Sequence, residues 1–232
     1  MTLLLARNAN GPVVVEPHAG IAAGEILLRE DFSGSALNGT LWQDTYPYGD
    51  LNGVSTSASN VAVGDGLCTL TLSSSSVGAC ILTQPAGSVT GFEYGYGIVE
   101  WLAYGPTTDW WSLWQTAGPT GLYPEYDVVE MGYNTPGTNY HFWNGSTDEY
   151  TWNSDEFSTD FIGGWHYYTL RRNADDTFDA WYDTTQVVVA ETATDDSGIN
   201  NFLVANIGVG NGNTTSVGET VQIDHVYAWA LP

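Results

Sequence analysis

Positive charge is almost missing from this sequence. It contains no lysine, and its four arginines stand against 27 acidic residues, so the formal net charge is −23 at pH 7. Proteins that grip the phosphates of nucleic acids rely on lysine and arginine, and this composition therefore excludes nucleic acid as a partner. The negative charge would also repel sulfated or uronic polymers, although salt screens much of that effect. A neutral partner is favoured.

A long apolar run and a basic leader are missing as well. The apolar stretches near the N-terminus are interrupted by Arg7, Asn8, Gly11 and Pro12, which argues against a signal peptide and a membrane span there. We expect residues 1–27 to form an N-terminal arm or edge strand. This arm either belongs to the neighbouring domain or docks on a partner in a larger assembly. We expect the protein to be extracellular, after removal of a signal, or virion-associated.

Sustained helical periodicity is a third absence. Short apolar runs are separated by clusters of glycine, serine, asparagine and aspartate, and the chain carries 27 glycines, 10 tryptophans and 14 tyrosines. This pattern predicts many strands and few helices. We expect residues 28–232 to form a single all-β domain, a two-sheet antiparallel β-sandwich of a dozen or more strands. One long aromatic strand is predicted over residues 92–105.

Only two cysteines occur in the chain. Cys68 and Cys80 flank a serine-rich turn, and the local pattern predicts a hairpin. In a hairpin of suitable register the two residues approach closely enough for a disulfide. Two buried free thiols fit the sequence equally well.

Acidic residues concentrate in one predicted strand, residues 123–131, with the sequence YPEYDVVEM. Strict alternation places Glu125 and Asp127 on one face and Glu130 on the other. A β-bulge of one extra residue at Val128 and Val129 brings all three carboxylates to the same face. Glu125 and Glu130 are then roughly 13 Å apart along the backbone. Side chains that lean toward each other reach roughly 5–6 Å, which suits hydrolysis of a glycoside by double displacement.

The neighbouring strands decide between that interpretation and a merely solvated acidic face. In the preceding strand, alternation places Trp110, Ser112 and Trp114 on one side. In the following strand it places His141 and Trp143 on a common side. Tryptophan rings offer large apolar faces to the C–H surfaces of sugars. Aromatic rings on both sides of an acidic strand favour a polysaccharide site.

These segments resemble glycoside hydrolase family 16 over nearly the whole chain. The bulged signature E-x-D-x-x-E of that family matches Glu125, Asp127 and Glu130. The runs FEYGYGIVEW, WWSLW, YHFW, GGWHYYTLRR, FDAWYD, NIGVG and IDHVYAW are similar to its other strands, in the same order. The resemblance implies a concanavalin-like β-jelly roll. The bulged form resembles the laminarinase-like branch.

The resemblance also implies roles for the three acids. Glu125 would be the nucleophile, Glu130 the acid and base, and Asp127 the assistant between them. The reaction would be retaining, endo-acting hydrolysis of a neutral polysaccharide, most simply a β-1,3- or mixed-linkage β-glucan, with no cofactor needed for catalysis. Three carboxylates so close together also favour a shared proton.

Further site residues follow from the same resemblance. Substrate contacts are expected from a set of aromatic and polar residues: Trp110, Trp114, His141, Trp143, and, at the rim of the cleft, Tyr94 and Asn206. A structural calcium ion is expected at Glu30 or Asp31, a carbonyl near Gly66, and Asp224, whose oxygen atoms suit a hard cation. The chain departs from the family pattern at Leu102, Pro124 and Tyr227, which leaves the glycan open. The alternative is a non-catalytic carbohydrate-binding or structural module of a virion or cell surface.

Overall fold

The computed structural model describes residues 16–51, 53–118, 124–132, 135–143, 148–153, 159–194, 196–209 and 216–232. Within these residues, sixteen strands form two sheets, and two single-turn 3-10 helices lie in the connections between strands. Every strand pairing among the described residues is antiparallel except that of β2 (Ser55–Thr56) with β5 (Val77–Leu82). The prediction of an all-β, two-sheet sandwich is confirmed. No helix in the described part of the chain is long and apolar enough to cross a membrane.

Each sheet contains eight strands. The first sheet has the spatial order β14 (Thr185–Thr192), β13 (Thr177–Tyr182), β12 (Trp165–Arg172), β7 (Gly97–Tyr104), β16 (Thr220–Trp229), β4 (Leu67–Thr71) and β3 (Val61–Gly64), with β1 (Ile26–Glu30) also on β16. The second sheet has the order β11 (Asp148–Asn153), β10 (Thr135–Trp143), β9 (Glu125–Gly132), β8 (Trp110–Thr116), β15 (Asn201–Gly208), β5 (Val77–Leu82) and β2 (Ser55–Thr56), with β6 (Glu93–Tyr94) also on β15. The 3-10 helices are Ala58–Asn60 and Thr159–Phe161.

The main core lies between the two sheets. Alternate residues of the second sheet, such as Leu113 and Val129, meet Trp101 and Leu170 of the first sheet, and all four are fully buried. Burying one Leu or Val side chain contributes about 2 kcal/mol to the free energy of folding. The other residues of each strand point away from this core, and on the second sheet they form the surface that carries the acids.

A second apolar cluster covers part of that outward surface. Tyr46, from the loop before β2, packs with Cys80, Trp114, Phe202 and Val204. The cluster covers the half of the outward surface that is formed by β5, β15 and part of β8. The buried and half-buried polar side chains gather on the other half of the same surface, along β8, β9 and β10.

The predicted long strand over residues 92–105 is wrong. Glu93 and Tyr94 pair with β15 in the second sheet, whereas Gly97–Tyr104 is β7 of the first sheet. The chain passes between the layers near Gly97, where an added Cβ would come within 2.7 Å of the carbonyl oxygen of Trp229. Local alternation is the same on both sides of this crossing, so the sequence pattern does not show it.

The hairpin predicted around the two cysteines is also wrong. Cys68 lies in β4 of the first sheet and Cys80 in β5 of the second. Both are buried free thiols, and burial raises the pKa of the Cys68 thiol to about 12. The serine-rich segment therefore connects two layers rather than two paired strands, which decides for free thiols.

The N-terminal segment that the structure describes lies on the outer face of the first sheet. The amide N–H of His18 donates to the Glu100 carboxylate at 2.7 Å, and the His18 ring stacks on Tyr167 with centroids 3.8 Å apart. Of the expected arm over residues 1–27, residues 1–15 lie outside the described part, and Ile26 and Leu27 belong to β1. Docking of the arm on a partner stays a prediction.

An ion pair of Arg172 and Asp196 is completely buried between the sheets. The Arg172 guanidinium also donates to the carbonyl oxygens of Tyr94 at 3.2 Å and Ile199 at 2.8 Å, and it lies 5.1 Å from the ring centroid of Tyr126. Each part of the cation therefore has a partner. The pair joins the back of the acidic strand to the first sheet.

Candidate active site

The acidic strand β9 contains the expected bulge. Its pairing with β8 shifts by one residue between Val129 and Asp127, and its pairing with β10 shifts at the same place. Tyr126, Val128, Val129 and Met131 belong to the main core. Two consecutive valines pointing inward require an extra residue, and they restore Glu130 to the face that carries Asp127. The predicted bulge is confirmed.

Asp127 and Glu125 meet His141 from the adjacent strand. Glu125 and His141 are directly paired across β9 and β10. Nε2 of His141 lies 3.3 Å from Oδ2 of Asp127 and 3.9 Å from Oε1 of Glu125. Asp127 and His141 are buried, at 3% and 8% exposure. The structure thus brings together two of the predicted catalytic acids and the predicted site histidine.

Glu130 lies at the other end of the acidic row, and its pKa is raised above the usual value for a glutamate. Loss of hydration by burial, followed by the nearby negative charge of Asp127, raises the pKa of Glu130 to about 8. His141, Trp110 and Asn139 oppose this rise; the side-chain amide of Asn139 donates to Oε2 of Glu130 at 2.8 Å. Glu130 therefore holds a proton at neutral pH. Burial contributes more to this than the repulsion between carboxylates that the sequence suggested.

Glu130 should make stability depend on pH in a definite direction. Its folded-state pKa of about 8 is above its usual value of 4.5, so the folded chain binds a proton that the unfolded chain releases, and stability falls as pH rises from 4.5 to 8. E130Q removes this loss. We expect its Tm to equal the wild-type Tm near pH 4.5 and to exceed it by about 2–4 °C or more at pH 8.5, in thermal melts followed by circular dichroism.

A matched control is E93Q, the same change at an exposed glutamate of the same sheet. Its Tm difference from wild type should not vary over this pH range. A Tm difference for E130Q that is equally flat would show that Glu130 titrates normally.

Trp114 and Asn206 form the floor beside the acids. The Trp114 indole N–H donates to Oδ1 of Asn206 at 2.8 Å, and the Ser112 hydroxyl donates to the same oxygen at 3.1 Å. Asn206 is 1% exposed and Trp114 is 4% exposed, with the Tyr46 ring packed near it. Asn206 therefore lies beneath the surface and fixes the orientation of Trp114, rather than standing at the rim as expected.

Tyr94 is not at the cleft, and that expectation is wrong. Its ring packs in the main core, and its hydroxyl donates to Oε1 of Gln115. The cation of Arg172 lies 5.7 Å from the ring centroid. Tyr94 faces inward because its short strand β6 continues the second sheet with the side chain turned toward the first.

The remaining aromatic candidates flank the acids. Trp110 is half-buried on β8 and interacts with Glu130. Trp143 ends β10, two positions beyond His141, and its side chain lies outside the described part of the structure. Trp110 is thus placed beside the Glu130 carboxyl group.

Asn139 is a site residue that sequence reasoning missed. It stands two positions before His141 on β10, so simple alternation places both on the same face. That signal was present in the sequence. An asparagine is an uncharged and common residue, and nothing local distinguishes it from a surface residue until its contact with Glu130 is seen.

The three residues expected to bind calcium lie on or beside adjoining strands of the first sheet. β1 ends at Glu30 and β4 begins at Leu67, and both lie along the same edge of β16. Asp224 falls between these two strand ends, and its side chain is 48% exposed. The Glu30 carboxylate already accepts N–H groups from Phe32 and Trp42. Oδ1 of Asp224 lies 2.8 Å from Nδ1 of His225. Oδ2 of Asp224 and the Gly66 carbonyl would therefore be the oxygens offered to a hard cation.

We propose that Asp224 is required for calcium binding beside these strands, where the ion would stabilise the fold without taking part in catalysis. Adding calcium chloride to chelator-treated protein should raise Tm by about 5 °C, since saturation of a native-state site stabilises by mass action. D224N should abolish this shift, and D65N, a neighbouring turn aspartate, should keep it. Equal shifts in D224N and wild type would place the ion elsewhere.

No protein-family profile matches this sequence, and no curated protein matches it. Solved structures do. A glycoside hydrolase family 16 endo-glucanase from Bacteroides ovatus, in complex with G4G3G-2F-DNP, superposes with a TM-score of 0.69 at 18% identity, over 88% of this chain and 100% of that one. The chain has the family 16 fold. LamA from Z. galactanivorans, in complex with laminaritriose and laminaritetraose, gives a TM-score of 0.70 at 18% identity, over 90% and 100% of the two chains.

The family 16 fold is not tied to one glycan. Porphyranase B from Zobellia galactanivorans also matches, with a TM-score of 0.65 at 16% identity over 87% of this chain and 90% of that one. The concanavalin-like jelly roll inferred from the strand motifs is confirmed by these structures. In this chain the acidic strand β9 is an inner strand of the second sheet, between β10 and β8.

Proposed function

We propose that this protein is a retaining, endo-acting glycoside hydrolase that cleaves a neutral polysaccharide, with a β-1,3- or mixed-linkage β-glucan as the first candidate. The observation that carries the proposal is the bulged strand β9. It presents Glu125, Asp127 and Glu130 on one face, and Glu130 at one end is protonated at neutral pH. Retaining hydrolysis needs one ionised and one protonated carboxyl group flanking the scissile bond.

In the first step, Glu130 donates its proton to the leaving oxygen while Glu125 attacks the anomeric carbon. The bond from that carbon to the leaving oxygen breaks, and a glycosyl ester of Glu125 forms. Trp110 and Asn139 hold the carboxyl group of Glu130 in place. Their contacts become stronger as Glu130 turns into a carboxylate, which favours the transfer of the proton.

In the second step, the Glu130 carboxylate takes a proton from water, and the oxygen of that water attacks the anomeric carbon from the opposite side to the ester. The bond to Glu125 breaks, and Glu130 returns to its protonated form. Two displacements at the same carbon restore its original configuration. The raised pKa of Glu130 suits both duties near neutral pH.

Asp127 and His141 support the nucleophile. Asp127 lies between the two glutamates on the strand, and its negative charge opposes the loss of the Glu130 proton. The nearby His141 side chain, when protonated, offsets the charges of Asp127 and Glu125. Asp127 and His141 thus limit the net negative charge of the acidic row while Glu125 loses its charge on forming the ester and regains it on hydrolysis.

The proton on Glu130 sets the alkaline limit of activity. Because only protonated Glu130 can act as the acid, this group should leave kcat/KM constant below pH 8 and make it fall about tenfold per pH unit above the pKa of about 8. The profile is measured on a soluble glucan from pH 5 to 10. An alkaline limb below pH 6 would contradict the assignment of Glu130 as the acid.

A neutral substrate is favoured by charge. The chain carries a formal charge of −23, and the described residues of the site include three of its carboxylic acids and no arginine. The three described arginines pair elsewhere, with Asp31, Asp179 and Asp196. An anionic polymer would meet repulsion that salt only partly screens. A place outside the producing cell or on a virion belongs to the same proposal.

The test is release of new reducing ends from purified protein incubated with laminarin, barley mixed-linkage glucan and agarose, beside E125Q. Release by the wild type alone establishes hydrolysis and identifies the polymer. A fall in viscosity that precedes most of the sugar release shows endo action. If neither protein releases sugar while the migration of both is slowed by a glycan in an affinity gel, the chain is a carbohydrate-binding module and the catalytic roles are wrong.

A further inference from the structure

The cluster of Glu125, Asp127 and His141 has a property that the hydrolytic mechanism does not use. One ligand-type atom from each residue can be chosen so that all three lie within 4.8 Å of one another, and among the described residues this is the one such group of three. The atoms come from two adjacent strands of a sheet, with Glu125 paired directly to His141. Their separation is therefore fixed by backbone hydrogen bonds rather than by flexible loops.

We propose that this cluster binds a divalent transition-metal ion of the zinc class, and that the bound ion blocks Glu125. Zinc takes histidine nitrogen and carboxylate oxygen at about 2.0–2.2 Å, which places neighbouring ligands of a tetrahedral ion about 3.3–3.5 Å apart. The atoms Nε2 of His141 and Oδ2 of Asp127 are already 3.3 Å apart, and the distance from Nε2 to Oε1 of Glu125 is 3.9 Å. The ligand oxygens of Glu125 and Asp127 lie within 4.8 Å of each other, so side-chain shifts on the order of 1 Å would complete the set.

The state of Asp127 independently points to a cation. Asp127 is 3% exposed, and its Oδ2 makes no contact of hydrogen-bond geometry with a described residue; its partner is Nε2 of His141, 3.3 Å away. A buried carboxylate oxygen without a donor is costly. This oxygen points toward Nε2 of His141, the second ligand atom. A metal ion at that position would supply the positive charge that no described arginine brings.

The ligand set also predicts which ions bind. Calcium and magnesium prefer six or more oxygen ligands, whereas a histidine with two carboxylates suits zinc, cobalt or nickel. Three protein ligands leave a fourth position open, as in accessible zinc sites. Binding at this position takes Glu125 out of reach of an anomeric carbon. The inhibition rests on the proposed function, but the binding does not.

Cobalt chloride is the first probe, because tetrahedral Co²⁺ absorbs strongly in the visible range. We expect metal-free protein to take up one equivalent of Co²⁺ with this spectrum, and one equivalent of zinc chloride to displace it. H141Q should weaken binding by about tenfold or more. H166Q is the matched control, since His166 pairs with Asp183 away from the acids, and it should bind like wild type. E125Q provides a second ligand variant if H141Q does not fold.

Absence of Co²⁺ binding up to millimolar concentration, or equal binding by wild type, H141Q and E125Q, overturns the proposed site. The activity arm adds zinc chloride to the glucan assay, with calcium chloride as control. Zinc should inhibit over the same concentrations at which it binds. Stoichiometric binding without inhibition would overturn the blocking of Glu125. Binding by a chain that hydrolyses none of the glycans would support the metal site while the hydrolase proposal fails.

Discussion

E125Q is expected to lower kcat/KM on the selected glucan by about 10⁴-fold or more, which corresponds to about 5 kcal/mol or more of lost transition-state stabilisation. Glutamine keeps the shape of the side chain but has no negative charge with which to attack the anomeric carbon. Glu125 is half-buried and lies beside Asp127 and His141, so the neutral amide removes charge from a crowded row. The fold should therefore survive. Initial rates of reducing-end release measure the effect.

The corresponding control is E93Q, which makes the same chemical change at an exposed position on the same sheet. Its rate should stay within about twofold of wild type, since a surface substitution of this kind rarely alters a site elsewhere. A folded E125Q that retains more than about a tenth of the wild-type rate would remove Glu125 from the mechanism and favour a different nucleophile.

R172M is expected to destabilise the protein more than any surface change. The guanidinium of Arg172 and the carboxylate of Asp196 are both completely buried, and removing one partner of a buried pair costs about 3–5 kcal/mol because the other charge is left unpaired. For a chain of this length that is a fall in Tm of about 10 °C or more. Thermal and urea unfolding followed by circular dichroism measure it.

R29M is the control for this prediction. Arg29 pairs with Asp31 at 2.9 Å, but both side chains are well exposed, at 47% and 38%. An exposed pair contributes about 0–1 kcal/mol, so R29M should shift Tm little. The double variant R172M/D196L should be milder than R172M, since it leaves no unpaired charge. Equal effects of R172M and R29M would show that the buried pair is not a source of stability.

Local patterns predicted much of the fold and the acidic row. Strands such as Trp110–Thr116 and Trp165–Arg172 alternate clearly, and alternation is a property of neighbouring residues alone. The bulge followed from one requirement, that Glu125, Asp127 and Glu130 share a face while two valines point inward. Asn139 could have been found by the same alternation from His141.

Features that depend on distant parts of the chain were missed. The passage between layers near Gly97 and the separation of Cys68 from Cys80 depend on which strands pair, and pairing leaves no local sign. Tyr94 faces the core because of that passage. The ion pair of Arg172 and Asp196 joins the end of strand β12 to the loop between β14 and β15, and only the folded chain shows that both residues are buried.

The central claim, that Glu125 is a covalent nucleophile assisted by Glu130, is tested most directly by trapping the glycosyl-enzyme. A dinitrophenyl glycoside of the selected glucan oligosaccharide has a leaving group that needs no proton, so E130Q should form the ester quickly and hydrolyse it slowly. Mass spectrometry of digested E130Q should then find one glycosyl group per chain on the peptide that contains Glu125. Turnover of the substrate with no adduct, or an adduct on another residue, would contradict the account.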